Sequence, residues 1–206
     1  LMYSVLENLE HDLTKLQMAS VIKAAIIDGA AYSSQLDGLC VADGRLNAVA
    51  AISELLFNMS ELSDGTLRID SMRYQYDGDL YIPEEINGKS VAHIANAAFI
   101  NQTGLESISI PAGVTFIGAN AFQGCTSLQS ITFEEGSLLT TIGNGAFYGC
   151  SALFNVTLPE YVTAIGANTF ENCTALGTVH FHENSRLASI GNSAFSGSNL
   201  LLSMTI

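Results

Sequence analysis

Ile117-Gly118-Ala119-Asn120-Ala121-Phe122-Gln123-Gly124-Cys125-Thr126-Ser127-Leu128 is followed by Ile142-Gly143-Asn144-Gly145-Ala146-Phe147-Tyr148-Gly149-Cys150-Ser151-Ala152-Leu153, and both are copies of one unit. Anchored on its phenylalanine, the unit recurs at Phe99, Phe122, Phe147, Phe170 and Phe195, at intervals of 23, 25, 23 and 25 residues. An isoleucine stands five residues before each ring, at Ile94, Ile117, Ile142, Ile165 and Ile190. Glycine follows four of these; Ala95 follows Ile94. Six residues after each ring come Leu105, Leu128, Leu153, Leu176 and Leu201. Ile108, Ile131, Val156, Val179 and Met204 follow, then Ile110, Phe133, Leu158, Phe181 and Ile206. Leu-x-x-Ile-x-Ile ends in a period-two pattern, which predicts a short strand with one buried face. Ile-Gly-x-x-Ala-Phe predicts a compact turn that inserts an aromatic into the core. One unit cannot bury its apolar face alone, whereas stacked units cover each other. The longer units carry their extra residues in Phe133-Glu134-Glu135-Gly136-Ser137 and Phe181-His182-Glu183-Asn184-Ser185, which are polar and suit exposed loops.

These strings resemble the BspA-type leucine-rich repeat, and the resemblance covers about residues 80 to 206. Leu80-Tyr81-Ile82-Pro83, followed by Ile86-Asn87-Gly88-Lys89-Ser90-Val91, resembles the opening unit of that family. Thr66-Leu67-Arg68-Ile69 looks like a preceding strand. The resemblance implies a curved right-handed solenoid, exposure at a cell surface or secretion, and a role in adhesion or protein recognition. It implies no catalytic residues.

Residues 1 to about 62 show no repeat. Leu6, Leu9, Leu13, Leu16, Ile22 and Ile26 follow helical spacing loosely, and the first glycine is Gly29. This predicts a helix from about Val5 to Ala31. Ser33–Gly38 is a loop by composition. A second helix is expected from Arg45 to Met59, with Leu46, Val49, Ile52, Leu56 and Phe57 on one stripe. Asp64-Gly65 marks the turn into the first strand. The expected fold is therefore α+β. A helical module or cap at 1–63 precedes a leucine-rich-repeat, right-handed β-solenoid with short strands at 64–206. Repeat arrays need polar or helical end pieces, which makes the helices a cap. A pilin-like helix carrying the repeats as a head is the alternative, as is a helical hairpin with a partner of its own.

Hydrophobic residues make up 48% of the 206 and charged residues 13%, a balance that excludes disorder for the bulk of the chain. No apolar run reaches the roughly 18 residues of a membrane span. Seven Lys and Arg against twenty Asp and Glu give −13, so neither nucleic acid nor an anionic lipid surface is expected as a partner. The start, Leu-Met-Tyr-Ser, fits a mature or trimmed form. Ile206 ends a strand, and an open strand edge invites pairing, so a homodimer through that edge or a helix covering it is expected.

A search for chemistry finds little. Cys125, Cys150 and Cys173 occupy one repeat position, with Gln102 and Ser198 in the equivalent places. They read as a buried column of small side chains in which sulfur is dispensable. Cys40 stands alone and is expected to be reduced. His180, His182 and Glu183 would suit zinc, yet no third ligand of fixed geometry is identifiable. They read as solvated strand residues, and His11 and His93 as structural ones. Asp77-Gly78-Asp79 lacks the ligand pattern of a calcium loop and reads as a turn. Gly143-Asn144-Gly145 has no lysine nearby and no strand–loop–helix context for a phosphate. Neither a Gly-x-Ser-x-Gly elbow nor His-Glu-x-x-His occurs. The four Asn-x-Ser/Thr sequences, at Asn58, Asn101, Asn155 and Asn172, are treated as accidental. No enzyme activity, metal or cofactor is expected.

Stacking itself points to the best candidate surface. Between the inward positions the strands present Tyr81, Ser109, Thr132, Thr157, His180 and Thr205. A second row holds Ser107, Ser130, Asn155, Thr178 and Ser203. Equivalent strands lie about 4.8 Å apart, so each row forms a ladder, with His182 beside it. From Ala95 onward there are six acids and one base, Arg186, so charge is expected to matter little there. The expected function is a non-enzymatic surface module that binds protein or glycan through Tyr81, Ser109, Thr132, Asn155, Thr157, Thr178, His180 and His182.

Overall fold

The computed structural model of the chain describes residues 53, 54 and 56–205. The expected helix at Val5–Ala31, the loop after it, most of the second helix, His11 and Cys40 lie outside the described residues, and with them the cap and pilin-like readings.

Among the described residues the repeat region is a β-solenoid. Each unit contributes one longer strand and one two-residue strand on opposite sides of a shared core. The longer strands are β3 (Gly78–Tyr81), β6 (Leu105–Ile110), β8 (Ser130–Phe133), β10 (Asn155–Leu158), β12 (Thr178–Phe181) and β14 (Ser203–Thr205). The short ones are β7 (Phe116–Ile117), β9 (Thr141–Ile142), β11 (Ala164–Ile165) and β13 (Ser189–Ile190). These continue a sheet that starts with β1 (Phe57–Glu61), β2 (Leu67–Met72) and β5 (Lys89–Ile94), in the order β1-β2-β5-β7-β9-β11-β13. A hairpin adds β4 (Glu85–Ile86) to β5. Repeat-to-repeat pairing is parallel and in register: Ile108 pairs with Ile131, and Ile117 with Ile142. Parallel pairing follows from coiling in one direction, each turn returning the chain to the same side.

The predicted interior is present. Phe99, Phe122, Phe147, Phe170 and Phe195 form one stack, with neighbouring ring centres 4.8, 5.2, 5.4 and 5.4 Å apart and planes within 9°. Phe57 closes its N-terminal side edge-on, at 6.2 Å and 75° from Phe99. The turns that carry the rings are also laddered. The Phe122 N–H donates to the Ala146 carbonyl at 2.7 Å, and the Phe170 N–H to Ala194 at 2.7 Å. Backbone polarity is thus satisfied between coils as well as within them. Stacking is what hides the core: Ile94, Ile117, Ile142 and Ile165 are at most 3% exposed, while Ile190, with no described coil after it, is 49% exposed.

The repeated glycine after isoleucine has a steric cause. A Cβ on Gly143 would stand 2.5 Å from the Ala119 nitrogen of the coil before, and one on Gly118 2.4 Å from the Asn96 nitrogen. Ala95 is tolerated because its neighbour is β2, which runs extended to Met72 instead of turning there.

One expectation is corrected. The helix predicted to reach Met59 stops short of it: Ser53, Glu54 and Leu56 are helical, and Phe57–Glu61 is β1. β1 pairs antiparallel with β2 across a tight turn, in which Asp64 accepts hydrogen bonds from the Thr66 N–H at 3.0 Å and hydroxyl at 2.7 Å. Those bonds hold the Asp64 carboxyl below its usual range. Pairing with the exposed edge of β2 outweighs a weak helical preference.

Replacing Phe147, which has a ring on either side, with alanine should cost about 3–5 kcal/mol. The same change at the half-buried Phe195 should cost less. Urea unfolding of both variants checks this; a negligible loss at Phe147 would contradict the stack as the core.

Candidate functional site

The strand rows emerge in register on the outer side of the longer strands. Tyr81 pairs with Ser109 and Ser109 with Thr132; Thr157 pairs with His180 and His180 with Thr205. Thr132, Asn155, Thr157, His180 and His182 are exposed, and Tyr81, Ser109 and Thr178 half-buried. For Thr205 only its strand position is described. The alternation with buried Ile108, Ile131, Val156 and Val179 sends these side chains outward, as period two requires.

The row is interrupted once. β3, β6 and β8 form one three-stranded sheet, and β10, β12 and β14 another. After β8 and β12 the residue following the strand donates a closing bond to the coil before it, from Glu134 to Ile110 at 3.1 Å and from His182 to Leu158 at 3.2 Å, whereas after β6 that place is Pro111 and β6 still pairs with β3. After β10 the equivalent residue is Pro159, which like Pro111 has no N–H to give, so the proline by itself does not account for the break. A groove of about 430 Å³ lies at this break. Thr132, Asn155, Thr157 and His182 line it, so four of the eight expected site residues meet there.

Pattern reading did not find the rest of the lining, which includes Glu134, Glu135, Glu160 and Tyr161. The signal present was the inserted Glu-Glu pair in the loop after β8. Glu134 faces Tyr81, whose hydroxyl is pushed up first by burial and then by this carboxylate, its hydrogen-bond partner. Arg186 pairs with Glu160 at 3.0 Å and lies over the Tyr161 ring, 4.3 Å from its centre. His182 Nδ1 accepts the Asn184 N–H at 3.1 Å, which engages that nitrogen in a turn. Among the described residues no three His, Cys, Asp or Glu side chains converge as metal ligands would. A second surface feature also escaped the pattern. Phe154 and Leu202, 64% and 91% exposed, flank Gly177 in the row before the ladder.

The cysteine column has a definite job. Cys125, Cys150 and Cys173 are free and buried, and their thiols donate to the carbonyls of Phe99, Phe122 and Phe147 at 3.1, 3.2 and 3.1 Å. Ser198 makes the same bond to Phe170 at 2.8 Å. Each small donor therefore adds a second hydrogen bond to a ring residue's carbonyl one coil earlier, which already accepts a backbone N–H of its own coil. At the first unit Gln102 turns instead toward the N-terminal side: it accepts the Tyr76 N–H at 2.8 Å and donates to the Tyr74 carbonyl at 3.2 Å.

Residues 92–206 match the family described as BspA type leucine rich repeat region, in six copies. The chain belongs to this BspA-type family. Among solved structures, a leucine-rich repeat protein of T. pallidum is 29% identical, with a TM-score of 0.67 over 72% of this chain and 68% of that one. A leucine rich cell surface protein of Faecalibacterium prausnitzii shares the fold at 24% identity and a TM-score of 0.50, over 72% of this chain and 52% of its own. The pneumococcal vaccine antigen PcpA shares it at 23% identity and 0.54, over 69% and 42%. The chain thus spans about half or less of the latter two proteins. No match was found among curated proteins. BspA-type repeats are non-enzymatic in general. Among the described residues no helix is long and apolar enough to cross a membrane.

Burial pushes the Cys173 thiol up to about 12, and the Cys125 thiol together with burial raises Cys150 well above its usual value. Thiolates are the reactive form, so Cys150 and Cys173 should resist iodoacetamide at mildly alkaline pH until the chain unfolds. The Cys173 value lies above the ordinary 9.0, so its contribution to stability is complete below that pH and is lost as pH rises toward 12. Mass spectrometry of the alkylated native protein reads the first expectation; rapid labelling of either residue in the folded chain would contradict it.

Proposed function

We propose that this BspA-type chain is a binding module, located at a cell surface or secreted, that engages a protein or glycan through the outer strand face. The observation that carries this reading is the register of the rows. Side chains from successive coils stand at one spacing, uncharged over most of their length, and the members on β8 and β10 line the groove between those strands. Hydroxyls and an amide in such a row present donors and acceptors at a fixed repeat, which suits extended partners with a repeating contact pattern. The scaffold behind them is rigid, because each ladder residue alternates with a core residue that is packed on the coils above and below. Little ordering is then needed at the surface on binding. The family's surface-exposed members and their role in recognition support the same reading.

The test is capture of the whole chain on a panel of matrix proteins and glycans, comparing wild type with Thr132→Ala/Thr157→Ala. Both residues are exposed, so thermal stability should barely change. The reading predicts that a panel member held by wild type is held several-fold more weakly by the variant. Equal capture by both chains would contradict it.

A further inference from the structure

Charge in the repeat array is concentrated in one place. Of six acids after Ala95, three line the groove between β8 and β10: Glu134, Glu135 and Glu160. The only base in that span, Arg186, answers Glu160 alone. Glu135 is exposed, and Glu134 is held by a neutral tyrosine hydroxyl. The groove therefore carries more acceptor charge than the fold neutralises. Its other contributors, Thr132, Asn155 and Thr157, offer hydrogen bonds beside these carboxylates.

We infer that this groove is the seat for a basic side chain, with arginine preferred, of an extended protein segment lying along the strand face. Three observations select that occupant. The rim already holds one guanidinium: Arg186 pairs with a carboxylate and covers the Tyr161 ring, the combination that guanidinium groups favour. That contact occupies one face of the tyrosine ring, which leaves a sugar less aromatic surface to stack on. The carboxylates do not converge with other donors on a single point, as a metal ion would need, but are spread along the groove. Finally, the groove lies where the strand ladder is interrupted, so a segment placed there meets the side chains of both β8 and β10. This inference rests on the strand face being a binding surface, and it narrows the protein-or-glycan choice to a protein with a basic anchor.

The test is an NMR titration of the whole, isotopically labelled chain with three probes. One is a capped Gly-Ser-Arg-Ser-Gly peptide, the second the same peptide with glutamine replacing arginine, and the third maltotriose. The arginine peptide should shift amides of residues 130–137 and 155–161, and should bind about two- to fivefold more tightly than the glutamine peptide. Glu134→Gln/Glu135→Gln should remove that preference, and raising salt from about 50 to about 500 mM should weaken it in wild type. Equal shifts from the two peptides, no groove shifts from the arginine peptide, or groove shifts from maltotriose alone would each overturn the assignment. If the arginine preference is missing while Thr132→Ala/Thr157→Ala still impairs panel capture, the groove assignment fails and the strand-face reading stands. If the groove selects arginine but panel capture ignores that variant, the groove assignment stands and the strand-face reading fails.

Discussion

Contact between one coil and the next is the constraint on which the molecule depends. A single unit has no interior of its own: its phenylalanine, isoleucine and strand residues are covered only by the equivalent residues of its neighbours. The near-parallel phenylalanine rings make this visible, because a ring 5.2 Å from one neighbour and 5.4 Å from the other leaves no room for a misplaced coil. Every other repeated choice serves that contact. Glycine follows isoleucine because a methyl group would strike the turn before it. Cysteine or serine three residues after the ring is small enough for the buried column and gives the carbonyl one coil away a second hydrogen bond.

The same repetition creates the functional surface. Alternation along each strand gives a core residue and an outward residue in turn, and stacking converts each outward position into a row. Where the rows run without interruption they are regular and mostly uncharged, Asp79 beside Ser107 being the exception. Where the ladder is interrupted, between β8 and β10, the surface opens into a groove, and acids gather there. Structure and recognition are thus linked through the backbone, since the groove lies where the strand ladder stops.

Much of this was legible in the sequence because a repeat reports each position several times. Phenylalanine at five equivalent places identifies the core, and Ser198 in place of cysteine shows that the column does not need sulfur. The places that pattern reading missed are those that occur once. Phe57–Glu61 reads as the end of a helix because its apolar residues fit a helical stripe, whereas its actual partner is the free edge of β2, a tertiary contact that no local pattern records. The groove escaped for the same reason. Glu134, Glu135, Glu160 and Tyr161 lie in two loops whose proximity depends on how two coils stack.

The central claim is that successive phenylalanines form one continuous column. Nuclear Overhauser contacts between ring protons of selectively labelled phenylalanine test it most directly in solution. The account predicts a chain of cross-peaks linking Phe99 to Phe122, Phe122 to Phe147, Phe147 to Phe170 and Phe170 to Phe195, with none between alternate rings. Rings that show no contact with their neighbours, or that contact each other out of order, would contradict it.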